Sequence, residues 1–205
     1  MLTYTKDKNK EEILLDNNNE QVMMEWEKPY MEACIDFLQP KGNVLEIGFG
    51  MGYSATAIQK YNPKSYTIIE CDPIVIKKCK EWAKDYDNVI IIESKWQDVI
   101  ETLGTYDSIF FDPTETSNLS TAAYKIAHFN WHFIFIELCI QYLMKLGSRL
   151  SVFLPTYLNY KYKKFISDQL FISHYNKIIK VPISDQCKYK RPTEELMVPI
   201  IEKIQ

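Results

Sequence analysis

Three glycines, Gly48, Gly50 and Gly52, follow the apolar run Val44-Leu45-Glu46-Ile47 at intervals of one residue. The next apolar run, Tyr66-Thr67-Ile68-Ile69, ends in Glu70. Glycines between a strand and a helix let the backbone approach a ligand closely, and the helix start that follows favours polar groups. An acid closing the next strand can take both hydroxyls of a ribose. The pattern therefore points to a nucleoside cofactor. It reads G-x-G-x-G rather than the dinucleotide G-x-G-x-x-G. Glu46, beside the loop, would repel a pyrophosphate and suit a cation. The two arginines, Arg149 and Arg191, lie far along the chain from the loop. A sulfonium and ammonium carrier, S-adenosylmethionine, is favoured over NAD or FAD. The plainer reading is an ordinary strand-to-helix turn, against which the coincidence of three glycines with Glu70 weighs.

Other reactive side chains read less sharply. Asp112 ends an apolar run, where sites in open parallel sheets lie, yet Asp112-Pro113 could also simply open a turn. Glu27 precedes a helical stretch and could serve its dipole. Trp26 and Trp96, taken singly, read as core. His128 and His132 stand four apart, a metal-pair spacing, but no third ligand is evident and packing is favoured. Five scattered cysteines, never spaced C-x-x-C, indicate reduced thiols and no zinc framework. No metal is expected.

These residues need elements to position them. Strands are expected over 43–48, 66–70, 88–93, 108–112 and 149–154, the third a continuous β-branched run of the buried parallel kind. Helices are expected over 29–38, 52–61, 72–86, 96–103, 122–146 (closed by Gly147) and 159–170. Asp72-Pro73 is a strong helix start. Strand-like runs at 177–182 and 196–204 end the chain. Residues 1–21, polar and closing in Asn17-Asn18-Asn19, read as a flexible lead or short helix. Such alternation predicts an α/β fold with a mostly parallel sheet and helices on both faces.

With 205 residues, 46% of them hydrophobic, one domain over 1–205 is expected. No apolar run is long enough for a membrane span, and the Lys-rich start has no signal-peptide core. A cytoplasmic location is expected. Net charge is −3, but residues 160–191 carry eight basic side chains against Asp168 and Asp185. Lysine supplies nearly all positive charge, so a solvated face is favoured over a nucleic-acid surface.

Four blocks resemble the S-adenosylmethionine-dependent guanidinoacetate N-methyltransferases and the related fungal arginine delta-N-methyltransferases. They are Val22 to Met31 (VMMEWEKPYM), Leu45 to Gly52 (LEIGFGMG), Ile68 to Asp72 (IIECD) and Lys95 to Val99 (KWQDV), with a weaker fifth at Cys187-Lys188-Tyr189 and Val198-Pro199-Ile200. The resemblance implies a Rossmann-like seven-stranded methyltransferase sheet whose last strand is antiparallel. It implies that Glu70 binds the ribose, followed by Cys71 and Asp72 in the same cofactor set. Phe49, Gly50, Met51, Gly52, Tyr53 and Ser54 would line the methionine moiety, with Glu46 and Gly48 in the same cofactor-binding set. Met23 and Met31 would close over it, and Trp96 with Gln97 would meet the adenine.

Glu27 and Asp112 match the family's two substrate carboxylates, Asp112 also reaching the cofactor. Trp26 and Thr156 complete the implied substrate contacts. A guanidinium is protonated below a pKa of about 12, so a methylating enzyme must orient one nitrogen and remove a proton. Carboxylates do both. The implied acceptor is a small guanidino compound resembling guanidinoacetate. Alternatives are an arginine side chain, an exocyclic base amine (Phe111-Asp112-Pro113 resembles a D-P-P-Y loop), or a cofactor-binding protein without activity. Three departures bear on the acceptor. Gln97 stands where the family often has Glu, Pro113-Thr114 follows the acid, and Pro155 stands where a backbone N–H would hold a substrate carboxylate.

Overall fold

A computed structural model describes residues 1–113, 131–154, 159–188 and 194–205. The expected lead or short helix at residues 1–21 is corrected. Strands β1 (Thr3–Lys6), β2 (Glu12–Leu15) and β3 (Gln21–Met24) form an antiparallel meander. Its two turns share one chemistry. Asp7 Oδ1 accepts the amides of Asn9 (2.8 Å) and Glu11 (3.0 Å), and Asp16 Oδ1 those of Asn18 (2.8 Å) and Glu20 (2.9 Å). Lys10 and Asn19 take the left-handed conformation that lets each chain turn back. The repeated D-x-N-x-E is the signal of both hairpins.

Beyond the meander run α1 (Lys28–Leu38), β4 (Asn43–Ile47), α2 (Tyr53–Gln59), β5 (Ser65–Glu70), α3 (Pro73–Ala83), β6 (Val89–Glu93), α4 (Trp96–Val99) and β7 (Tyr106–Phe111). Then come a helical run α5 over residues 131–138, β8 (Met144–Val152), α6 (Asn159–Ser167), β9 (Ile172–Lys180) and β10 (Glu195–Lys203). The expected helix starts hold. Pro29 lies in the first turn of α1, and Asp72 caps α3 by accepting the amides of Ile74 and Val75.

Seven strands form one sheet in the order β6-β5-β4-β7-β8-β10-β9. Pairing is parallel from β6 to β8, and β10 runs antiparallel to both neighbours. This is the seven-stranded, mostly parallel sheet expected. The order reverses between β4 and β7, so their C-terminal ends flank the crevice where open sheets bind ligands. Gly48 follows one end and Asp112 the other.

Because strand side chains alternate, the sheet divides two cores. Val44, Tyr66, Ile68 and Phe110 pack with α1, α2, α3 and the meander. Leu45, Ile47, Ile69, Ile109 and Phe111 pack with α4, α5 and α6. Two further expectations are corrected. The run at 89–93 is an edge strand, with Ile90 53% exposed, because it pairs with β5 alone. The long helix does not reach Gly147. A π-turn, Cys139–Leu143, ends it, and β8 begins at Met144. The register of β8 on β7 jumps between Tyr106 and Ser108. Ser148 closes that irregularity, accepting from the Lys145 amide (3.0 Å) and donating to the Tyr106 carbonyl (2.6 Å). Gly147, at φ +79°, supplies the turn rather than a helix end. The 122–130 part of the expected helix, His128 and residues 114–121 lie outside the described residues.

Candidate active site

The glycine loop is built by three separate constraints. Gly48, Gly50 and Gly52 all have positive φ (+86°, +51° and +77°), where side chains are strained. A Cβ on Gly48 would stand 2.5 Å from the Asp112 carbonyl, one on Gly50 2.8 Å from Met23 Sδ, and one on Gly52 2.7 Å from the Phe49 ring. The first contact joins the two strand ends of the crevice and the second brings the meander onto the loop. Met51 donates its amide to Met23 Sδ (3.4 Å), and the Tyr4 hydroxyl donates to the Gly50 carbonyl (2.6 Å).

Glu70 is held by the backbone on both oxygens. Oε2 accepts the Phe49 amide at 3.0 Å, and Oε1 accepts those of Cys71 (2.7 Å) and Asp72 (2.9 Å). A carboxylate has about four acceptor positions, so capacity remains for a ribose hydroxyl. Asp72 turns away into capping: Oδ1 serves α3 and Oδ2 accepts the Leu2 amide at 3.0 Å. Cys71 is exposed.

Glu46 is completely buried. The Tyr66 hydroxyl donates to its Oε2, while Oε1 is buried without a hydrogen-bond partner. Desolvation raises its pKa to about 7, with Glu70 adding to the rise and the Ser54 and Tyr66 hydroxyls opposing it. Strand parity explains the pair. Val44 stands opposite Tyr66 and Glu46 opposite Ile68, so Glu46 and Tyr66 face the same core.

At the β7 end of the crevice the residues come from distant segments. Glu27 is 3% exposed and its Oε1 accepts the Met24 amide at 2.9 Å, inside a capping box. One turn on, the Tyr30 hydroxyl donates to the Met197 carbonyl (2.7 Å) and accepts from the Leu154 amide (3.4 Å). Phe153 donates to the Phe111 carbonyl (2.8 Å), and Asp112 donates its own amide to the Ile47 carbonyl (3.0 Å). Asp112 is half-buried. These links tie the start of α1, the end of β8 and the end of β7 to one edge of the sheet. Tyr53 is half-buried, and desolvation first, then Glu12, Glu25, Glu27 and Glu11, raise its pKa. The charges of four carboxylates thus act on the first residue of α2.

Several residues of the expected contact set lie in or beside the core. Trp96 is buried with its ring edge-on to Phe111 (5.7 Å) and Phe135 (5.3 Å), while Gln97 beside it is exposed. Met31 is 1% exposed within the core, and Trp26 is buried too. Met23 does meet the loop. Thr156 and Pro155 lie outside the described residues. His132 is core, as favoured, its Nε2 3.0 Å from the Phe153 carbonyl and its ring against Phe111. Sequence reasoning missed the roles of Tyr4, Tyr30 and Tyr66. Only Tyr66 had a usable signal, since pairing the two strands puts it beside Glu46.

The model of the family described as guanidinoacetate N-methyltransferase matches residues 3–180. Protein arginine N-methyltransferase 2 of Candida glabrata is 42% identical over 118 residues, covering 54% of this chain and 27% of its own length. The chain thus spans about a quarter of that relative. Among solved structures, spermidine synthase of Thermotoga maritima superposes with a TM-score of 0.66 at 16% identity, covering 99% of this chain and 72% of that one. TYW2 of M. jannaschii in complex with AdoMet gives 0.59 at 17%, covering 99% and 87%. Their differing names show that the fold does not choose the reaction. The family match extends from the meander through the glycine loop and both carboxylates to β9, and on that extent the chain belongs to the guanidinoacetate N-methyltransferase family.

Proposed function

We propose that this protein is an S-adenosylmethionine-dependent N-methyltransferase acting on a guanidino group. The observation that carries it is the position of Asp112, whose carbonyl abuts Gly48 of the glycine loop, with Glu27 bonded to Met24, the neighbour of the Met23 that meets the same loop. The residues fit the cofactor. Three glycines keep side chains off the loop, Glu70 closes the ribose side, and buried Glu46 has an oxygen without a partner. Gly48 to Ser54 with Met23 would hold the methionine moiety, and Glu70 the ribose. The cofactor supplies an electrophilic methyl on a sulfonium. Asp112 and Glu27 grip the planar guanidinium and turn one nitrogen toward that methyl. The S–CH3 bond would break as the N–C bond forms, its electron pair staying on sulfur to leave the neutral thioether S-adenosylhomocysteine, and a carboxylate of this pair would accept the proton that the nitrogen loses.

The relatives' name, protein arginine N-methyltransferase 2, favours a second acceptor, the guanidinium of an arginine side chain. The carboxylates of Glu11, Glu12 and Glu25 around Tyr53, on the same side as Glu27, suit a cationic acceptor of either kind. No described helix is long and apolar enough to cross a membrane. A cytoplasmic location goes with free cysteines at all five positions. The test is release of S-adenosylhomocysteine with guanidinoacetate, free arginine and an arginine-containing peptide offered separately. Turnover with one of them, lost in Asp112→Ala, supports the reading. Turnover with none, cofactor still bound, would exclude these acceptors.

A further inference from the structure

Glu46 combines features seldom found together. It is fully buried, one oxygen is bonded to Tyr66, and the other lies beyond hydrogen-bond distance of any donor, with the Ser54 hydroxyl near enough to favour the charge. It lies two residues before Gly48, under the loop. The titratable groups acting with it are Tyr66 of β5, Glu70 at the end of β5 and Cys79 of α3. All of them are acids, and among the described residues no lysine or arginine acts on it. Burial without a cation disfavours an ionised carboxylate. A bound ligand that carries positive charge would reverse that preference.

Resting on the cofactor reading above, we propose that Glu46 links cofactor binding to a proton: it keeps its proton while the loop is empty and releases it to solvent when the cofactor's positive charge arrives. Tyr66 tunes the exchange, since its hydroxyl donates to the carboxylate and favours the ionised form. Glu70 works in the opposite direction, because a second negative charge at the loop discourages ionisation of the first. The arrangement couples affinity to pH near neutrality, where the raised Glu46 pKa of about 7 lies. The ligand's own amino group titrates at about 8, so the informative window is pH 6 to 7.

The direction follows from mass action. Below pH 7 an empty site must first lose its proton, so binding weakens as pH falls. S-adenosylmethionine should bind about fivefold more tightly at pH 7 than at pH 6. Calorimetry at pH 7 in two buffers of different ionisation enthalpy should find release of about half a proton. Glu46→Gln should bind with no pH dependence across this window and release close to none. Tyr66→Phe, which removes the donor, should move the steep region above pH 7, and it serves as the second variant should Glu46→Gln not fold. Wild-type binding that is flat from pH 6 to 7 and releases no proton would overturn the proton link alone. A wild-type protein that binds no S-adenosylmethionine at any pH would overturn the cofactor reading, and the link with it.

Discussion

The two halves of the crevice are built by different means. On the cofactor side the backbone dominates. Gly48, Gly50 and Gly52 hold positive φ, and the Glu70 carboxylate is fixed by three main-chain amides from its own strand end and the adjoining loop. On the side proposed for the acceptor, the side chains come from remote segments. Glu27 enters α1, Tyr30 joins α1 to β8 and β10, and Asp112 ends β7. A backbone cradle tolerates no change of shape, whereas a side-chain assembly can change its chemistry while its fold stands. Substitutions should therefore separate folding and cofactor affinity from turnover.

The largest effect should come from the acceptor side and should be purely chemical. Asp112→Ala removes a half-buried carboxylate while the Asp112 main chain, which anchors to Ile47 and abuts Gly48, stays in place. The role proposed for Asp112, orienting and deprotonating the acceptor, predicts that its loss lowers kcat by about a thousandfold, roughly 4 kcal/mol. The dissociation constant for S-adenosylmethionine should move less than threefold. Parallel loss of cofactor affinity would erase the separation between the halves.

The cofactor side should respond in the opposite way. In Gly48→Ala the new Cβ would meet the Asp112 carbonyl at 2.5 Å in a left-handed conformation. Backbone strain and the forced shift together should cost about 3 kcal/mol of stability and weaken cofactor binding. Gly147 is the control. Its φ is just as positive, at +79°, but nothing lies within 4 Å of a Cβ there. Gly147→Ala should cost only about 1 kcal/mol, from conformation alone. Equal thermal shifts for the two variants would mean that φ, and not the contact between β4 and β7, sets the requirement for glycine.

This asymmetry also decided what could be read from the sequence. The cofactor half is local: strand, glycine spacing, α2 and the acid of β5 lie within residues 43–70, and each was legible. Asp72-Pro73 was legible for the same reason, since a cap acts on the next three residues. The meander was overlooked because its strands are four residues long and partly polar, although Asp7 and Asp16 repeat the same turn. The junction of α5 with β8 was misread because apolar residues continue through the π-turn and Gly147 resembles a helix end. Trp96 belongs to a family block, yet whether its ring faces ligand or core depends on Phe111 and Phe135, which come from other elements. Glu27 was legible as an acid before α1, and its bond to Met24 three residues back is a local capping box, but its burial depends on the rest of the fold.

Glu46 gives a third contrast, between the buried side of the loop and its open side. The group has its folded pKa raised, from 4.5 to about 7, so the folded state holds the proton more tightly than the unfolded chain. Its contribution to stability is complete below about pH 4.5 and is lost as pH rises through 7. The empty protein should lose about 3 kcal/mol, as an order of magnitude, from this one group across that interval. Chemical denaturation at pH 5 and 7.5 should show the loss in the wild type and a smaller slope in Glu46→Gln. Saturating S-adenosylmethionine should flatten the wild-type slope, because the proton is already gone in the complex. A slope identical in both proteins would assign it to other groups.

The smallest effect tests whether the meander is a part of the cofactor side or only rests on it. Asp72 serves two masters: Oδ1 caps α3 through Ile74 and Val75, and Oδ2 receives the amide of Leu2, a buried residue just before β1. Asp72→Asn keeps an acceptor oxygen for the cap but loses the second carboxylate oxygen. It should cost less than about 1 kcal/mol, and it should loosen Leu2 while leaving α3 intact. Hydrogen exchange should then quicken at the amides of β1 and at Met51, whose bond to Met23 depends on the seated meander. If exchange quickens only in the first turn of α3, the Leu2 contact is incidental, and the tie that holds the meander over the loop reduces to Tyr4 on Gly50 and Met23 on Met51.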